Sequence, residues 1–211
     1  MNEDIKIGRV ILGIVQTNCY FVYRESLKEA VVFDPADEGE KLYKALTDQG
    51  LKVAAICLTH GHFDHIYGVK ELSRLSGCTV YGDEREARLL ADIGLNCSAS
   101  TGRAATVILD HPLRDGEEFR LGGMDIKLLS TPGHTEGSCC YYIEEGEMLI
   151  SGDTLFEGSV GRSDLPTGSA SALVRSAKEK LLVLPENTRV FPGHGNATTI
   201  GEEKAYNPFL A

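Results

Sequence analysis

The chain has 211 residues, 42% of them hydrophobic, which suits one large domain or two small ones, and a single packed core is the simpler expectation. Thirty-one acidic residues against twenty-one basic ones give a formal charge of -10. That balance excludes a phosphate-backbone binder or an anionic membrane surface as the working assumption, so no nucleic-acid partner is expected.

The opening, MNEDIKIGRVILGIVQTNCYFVY, starts acidic and turns polar at Gln16, Thr17 and Asn18 before an apolar core of signal-peptide length forms. No later stretch reaches the about eighteen apolar residues of a membrane span. A cytoplasmic protein with no membrane partner is expected. RVILGIVQTNCYFVYR and EAVVFDPAD, rich in Val, Ile, Phe and Tyr, read as strands around a charged turn at residues 25–29. EGEKLYKALTDQG reads as a helix with Leu42, Tyr43 and Leu46 on one face and Gly50 as its stop. VAAICLT is a short unbroken apolar run, the mark of a strand covered on both faces.

LTHGHFDHIYG follows, with three histidines and an aspartate inside residues 60–65. Beyond it Ile66, Val69, Leu72 and Leu75 recur every third residue, which is helical spacing. The cluster thus lies between a buried strand and a helix, where strand-helix proteins place chemistry. CTVYGD reads as a strand, EREARLLADIG as a helix and residues 96–103 as a loop. From GEEFRLGGMDIKLLSTPG through SCCYYIEEGEMLISGD the pattern is consecutive strands with Gly turns, and SASALVRSAKEKLLVLP is the last clear helix. With no linker, repeat or low-complexity segment, one domain over residues 1–211 is expected, of the α+β class: a four-layer αββα sandwich. The six cysteines, Cys19, Cys57, Cys78, Cys97, Cys139 and Cys140, have no C-x-x-C spacing and read as buried free thiols.

Residues two apart in an extended segment point the same way, so His60 and His62 can hold one ion while Gly61 lets the chain approach closely. If the chain then bends into the helix, Asp64 and His65 turn toward a second ion. His134 in STPGHTEGS, Asp153 in LISGDTLF and His194 in VFPGHGNATT each follow an apolar run and a Gly, and supply the remaining ligand types. His111 in LDHPLRDGEEF lacks that setting and reads as a surface or satisfied histidine.

THGHFDH resembles the T-H-x-H-x-D-H signature of the metallo-β-lactamase superfamily, and TPGHTEGS, SGDTLF and PGHG are similar to its later motifs in the same order. VQTNCYFV, GRSDLP and TTIGEEKAYNPFL also resemble the glyoxalase II group, the hydroxyacylglutathione hydrolases and their short bacterial relatives. The resemblance implies the αββα fold, with His60, His62 and His134 on one ion, Asp64, His65 and His194 on the other, and Asp153 bridging. It makes Asp64 and Asp153 catalytic as well as ligating. Arg162 would bind the substrate's anionic end, its alternative being a salt bridge to Asp164. Nitrogen and oxygen ligands without thiolate suit two divalent ions, zinc first, with iron or manganese also compatible. The implied activity is hydrolysis of a small-molecule thioester, such as a hydroxyacylglutathione, by hydroxide bridging the ions. Alternatives are an iron persulfide dioxygenase or a lactonase of the same superfamily, or a metal-binding regulatory module without catalysis. Glyoxalase II enzymes continue past PGHG into a helical domain that contacts glutathione; residues 195–211 are all that follow His194 here, so the resemblance does not extend to that segment.

Overall fold

The computed structural model describes residues 4–211; residues 1–3, part of the acidic opening, lie outside the described residues. Two six-stranded sheets form the centre. The first holds β1 (Ile5–Leu12), β2 (Thr17–Arg24), β3 (Glu29–Phe33), β4 (Lys52–Cys57), β5 (Thr79–Asp83) and β6 (His111–Leu113) in that spatial order, antiparallel from β1 to β3 and parallel from β3 to β6. The second is built from β7 (Glu118–Leu121), β8 (Met124–Ser130), β9 (Cys139–Ile143), β10 (Met148–Gly152), β13 (Arg189–Pro192) and β14 (Thr198–Thr199), ordered β14-β13-β10-β9-β8-β7. A small hairpin, β11 (Leu155–Phe156) and β12 (Ser159–Val160), stands beside it.

Alternation along the strands sorts side chains into layers. Val31 and Phe33 of β3 face the second sheet, where Ile126, Leu128, Tyr141 and Ile150 meet them. Ala30 and Val32 face the other way, onto Leu42 and Leu46 of α1 (Gly39–Asp48), with Leu72 of α3 (Val69–Ser76) in the same cluster. On the far side Leu129, Cys140, Leu149 and Val190 pack with Ala177, Leu181 and Ile200. The result is the expected αββα sandwich. Cys139 and Cys140 fall on opposite faces of β9, one in each of two cores. All six cysteines are free; Cys78 and Cys97 are only half-buried, where full burial was expected. No helix among the described residues is long and apolar enough to cross a membrane.

Several elements differ from the expectation. RVILGIVQTNCYFVYR folds as two strands, turning at residues 13–16, where Gly13 and Gln16 both take positive φ and Gln16 N–H donates to the Gly13 carbonyl at 3.3 Å. The helix after the histidine cluster is broken into α2 (Phe63–Ile66) and α3, because Gly68 N–H donates to Pro35 O at 2.8 Å and a β carbon on Gly68 would lie 2.7 Å from that oxygen. EREARLLADIG shortens to a 3₁₀ turn (Glu84–Glu86) and α4 (Ala87–Ala91). Asp92 ends it by accepting from the backbone N–H groups of Gly94 and Leu95 at 2.8 and 3.1 Å, a local alternative to helix. α5 (Ala170–Ser176) continues as a π-helical turn (Ala177–Leu181), and beyond it the chain forms α6 (Ile200–Tyr206), capped by Thr199 accepting from Glu202 N–H.

Candidate metal centre

Beyond β4 the chain bends at Thr59 and is pinned there to the end of β3. Thr59 N–H and Oγ1–H donate to the two oxygens of buried Asp34 at 2.8 and 2.7 Å. His60 and His62 project to one side, and the turn into α2 swings Asp64 and His65 toward the same space. The β8–β9 loop brings His134, the end of β10 brings Asp153 and the end of β13 brings His194. Hydrogen bonds close the two sheets at this edge: Asn18 N–H to Gly193 O at 2.7 Å, Cys139 N–H to Thr59 O at 2.8 Å and Tyr141 Oη to Leu58 O at 2.8 Å.

All seven predicted side chains converge. His134 Nε2 lies 2.8 Å from His62 Nδ1 and 3.2 Å from His60 Nε2. Asp64 Oδ2 lies 3.3 Å from His194 Nε2 and 3.6 Å from His65 Nε2. Asp153 stands between the two sets: Oδ2 is 3.6 Å from His134 Nε2 and 3.5 Å from His194 Nε2, and Oδ1 is 3.5 Å from His65 Nε2. Three groups have ligand atoms within 4.8 Å of one another: His60, His62 and His134; Asp64, His65 and His194; and His60, His65 and Asp153. Nitrogen ligands 2.0–2.1 Å from a tetrahedral zinc ion sit about 3.3 Å apart, so the separations match a metal site.

The outer ring nitrogens are anchored. His65 Nδ1 donates to Asp34 Oδ2 at 3.0 Å and His134 Nδ1 to the Arg162 carbonyl at 2.7 Å. The Thr59 hydroxyl hydrogen is committed to Asp34, so its oxygen accepts from His60 Nδ1 at 3.1 Å. Each bond puts the proton on Nδ1 and aims the Nε2 lone pair inward, as a metal ligand requires. His65 Nε2 and Asp153 Oδ1 are buried without a hydrogen-bond partner, an expense that a bound cation removes. A metal therefore fits the residues present.

The two sets differ electrostatically. Burial, reinforced by His134, lowers the His62 ring to about 3, and burial with the neighbouring rings likewise lowers His60. Burial also opposes charge on His65, but Asp64, Asp153 and Asp34 outweigh it and raise the ring to about 10. Burial would raise Asp64; His65 and His194 instead hold it well below the usual carboxylate range. In the histidine-only set His60 and His62 are thus neutral rings, while the other, acid-rich set holds the charged pair Asp64 and His65.

The centre opens into a cavity of about 540 Å³ walled by Val15, Phe63, Phe156, Leu165, Cys97 and Arg162. Arg162 stands on its rim, exposed, with its guanidinium on Asp164 through Nε to Oδ1 at 2.7 Å and Nη2 to Oδ2 at 2.8 Å. The residue thus adopts the salt bridge weighed against a substrate role, and its backbone carbonyl supports His134. His111 lies on β6 against Tyr81, outside the centre. Asp34 and Glu86 were not foreseen. Asp34 had a readable signal in VFDPAD, an acid at a strand end before proline; Glu86 is one acid of three in DEREAR.

Comparison with known proteins agrees with this geometry. Residues 12–194 match the family described as the Metallo-beta-lactamase superfamily. "Probable metallo-hydrolase YqgX" of Bacillus subtilis is 39% identical over 98% of both chains. "Hydroxyacylglutathione hydrolase GloC" of Haemophilus influenzae is 33% identical over 92% of this chain and 93% of its own length. Among solved structures, BLEG-1 B3 metallo-beta-lactamase superposes with a TM-score of 0.93 and 41% identity, over 98% of this chain and 100% of that one. TTHA1623 in a di-iron-bound form gives 0.85 and 41%, over 96% and 100%. ETHE1 from Myxococcus xanthus gives 0.79 and 30%, over 96% and 83%. With a shared motif order, a shared sandwich and a His/Asp metal-binding centre at the sheet edge, the chain belongs to the metallo-β-lactamase superfamily.

Proposed function

We propose that this chain is a thioester hydrolase of the glyoxalase II type working with two divalent ions, His60, His62 and His134 holding one, Asp64, His65 and His194 the other, and Asp153 shared. The position of Asp153 carries this reading, since its two oxygens stand within 3.6 Å of nitrogens from both sets. When bound, the ions lower the pKa of a water from about 15.7 to roughly 7 and polarise the substrate carbonyl. Zinc suits the nitrogen and oxygen donors, and the di-iron relative makes iron an equal match.

The chain's own groups orient and exclude. Asp64 is steadied by Thr17, whose Oγ1–H donates to its Oδ2 at 3.1 Å, and Asp153 faces the point where both sets meet. Val15, Phe63, Phe156 and Leu165 give an acyl group an apolar wall and keep bulk water from it. Arg162 at the rim meets the anionic end of a thiol carrier by exchanging Asp164 for it. The relative named as a hydroxyacylglutathione hydrolase supports the thioester class. A persulfide dioxygenase working with one iron would leave the Asp64, His65 and His194 set without an ion, and the completeness of that set favours the hydrolase.

The test is Asp153→Ala. The parent should hydrolyse S-D-lactoylglutathione or a smaller thioester and bind two ions, and the variant should lose an ion and turnover together. An unchanged rate refutes the assignment, and oxygen consumption with glutathione persulfide would establish the dioxygenase instead.

A further inference from the structure

Glu86 closes the 3₁₀ turn after β5 and is 2% exposed. Its Oε1 accepts from Gly61 N–H at 2.8 Å, between His60 and His62. Its Oε2 accepts from Thr135 Oγ1–H at 3.0 Å and Gly137 N–H at 2.9 Å, directly after His134. One carboxylate thus joins the stretch of His60 and His62, which runs on to Asp64 and His65, to the loop of His134, and among the described residues it has no hydrogen bond or ion pair to the segments that carry His194 or Asp153. The approach is close on both sides. A β carbon on Gly137 would lie 2.3 Å from Glu86 N, and one on Gly61 would lie 2.7 Å from Leu89 Cδ2. Among the described residues Glu86 has no ion pair. Three donors are its compensation for burial, which makes a buried carboxylate a costly tie unless the spacing it sets matters.

We infer that Glu86 is a positioning residue that sets the separation of His60 and His62 from His134, and so tunes the affinity of the three-histidine site without acting on its neighbour. This rests on the two-ion reading above. A glutamine there has the same shape but a single acceptor oxygen, so its amide group must face the N–H donor on one side. Partners that orient metal ligands typically govern about 10–100-fold in affinity.

The experiment is zinc affinity by competition with a chromophoric chelator, read in two backgrounds. His194→Ala leaves the three-histidine set intact, and His62→Ala leaves the acid-rich set. Adding Glu86→Gln should weaken zinc about 10–100-fold in the first background and under about threefold in the second. Equal losses in both, or a lower melting temperature of the metal-free protein with both affinities kept, would overturn the inference by making Glu86 a fold residue only. If Glu86→Gln does not fold, Glu86→Asp serves: it keeps the charge and retracts the oxygens, and it too must weaken zinc in the His194→Ala background alone. A parent chain that binds a single zinc ion instead defeats the two-ion reading, and the inference with it; two ions with no selective effect defeats the inference alone.

Discussion

Gly193 offers a sharp test of the centre's geometry, because it precedes His194 and carries no ligand itself. A β carbon at Gly193 would lie 2.3 Å from Asp153 Oδ1 and 2.7 Å from His65 Cε1. The backbone cannot yield: Gly193 N–H donates to Gly152 O at 2.8 Å and its carbonyl accepts from Asn18 N–H at 2.7 Å. With ordinary contact beginning near about 3.5 Å, Gly193→Ala must push the Asp153 carboxylate back by roughly 1 Å. A misplacement of about 1 Å costs on the order of 10²-fold in rate, or about 2.7 kcal/mol of barrier. Overpacking a dense interior costs about 1–3 kcal/mol of stability, which leaves the protein folded. Gly193→Ala should therefore melt as a cooperative unit and, on the proposed two-ion thioesterase reading, bind the second ion weakly and turn over about 100-fold more slowly than the parent. The measurements are kcat/KM after metal reconstitution, metal content after desalting and a thermal melt. Two tightly held ions with a rate within about threefold of the parent would refute the argument that this carboxylate's position limits the reaction.

Two other consequences follow from the ligand set itself. Chelation strips cations from buried atoms that have no hydrogen-bond partner, such as His65 Nε2, so the melting temperature should fall. A ligand held at 100 times its Kd contributes about 2.7 kcal/mol, equivalent to roughly 5–10 °C in a chain this size, and a melt unmoved by EDTA would deny a structural metal here. The second concerns pH. In the metal-free protein His65 is raised to about 10, so across the neutral range it carries a proton that an entering ion must displace. Affinity of the acid-rich set should accordingly rise with pH, by about tenfold per unit for one proton, whereas in the three-histidine set His60 and His62, both lowered by burial, hold no proton to displace and the dependence should be shallower. Calorimetric titration in buffers of different ionisation enthalpy should detect more protons released with one ion than with the other. Identical release for both ions would contradict the asymmetry.

How much of this could be read in advance follows from what each feature depends on. The convergence of the seven candidate ligands was legible because metal chemistry admits few side chains and because alternation in an extended segment puts His60 and His62 on one side. The glycines beside them were legible as a pattern, and the structure supplies the cause. At Gly152, with φ +49, a β carbon would meet Thr59 Oγ1 at 2.3 Å, and at Gly193 it would meet Asp153. Both glycines leave space for a side chain of the centre, Asp153 itself at one and Thr59, which supports His60, at the other. The layers were legible from β3, whose alternate residues enter two different cores. Helix α6 had a readable cap in Thr199 and Glu202 that Gly201 masks as a loop signal.

What stayed hidden has partners far along the chain. Asp34 acts on Thr59 and His65, 25 and 31 positions away, and Glu86 acts on Gly137, 51 positions away. Nothing in DPAD or EREAR encodes those meetings; they arise only once β3, β4 and β5 lie parallel and deliver their ends to one edge. The difference between the two ligand sets has the same origin. His60 and His65 are both buried histidines of one motif, five positions apart, yet His60 is driven down by burial and surrounding rings while His65 is driven up by three carboxylates, one of them Asp34 from another strand. The motif therefore supplies the ligand types, and the fold determines what each set of them meets. Asp34 reaches both sets, His65 directly and His60 through Thr59, whereas Glu86 is tied to the backbone beside His60, His62 and His134, so substitutions at the two acids should not have the same effect.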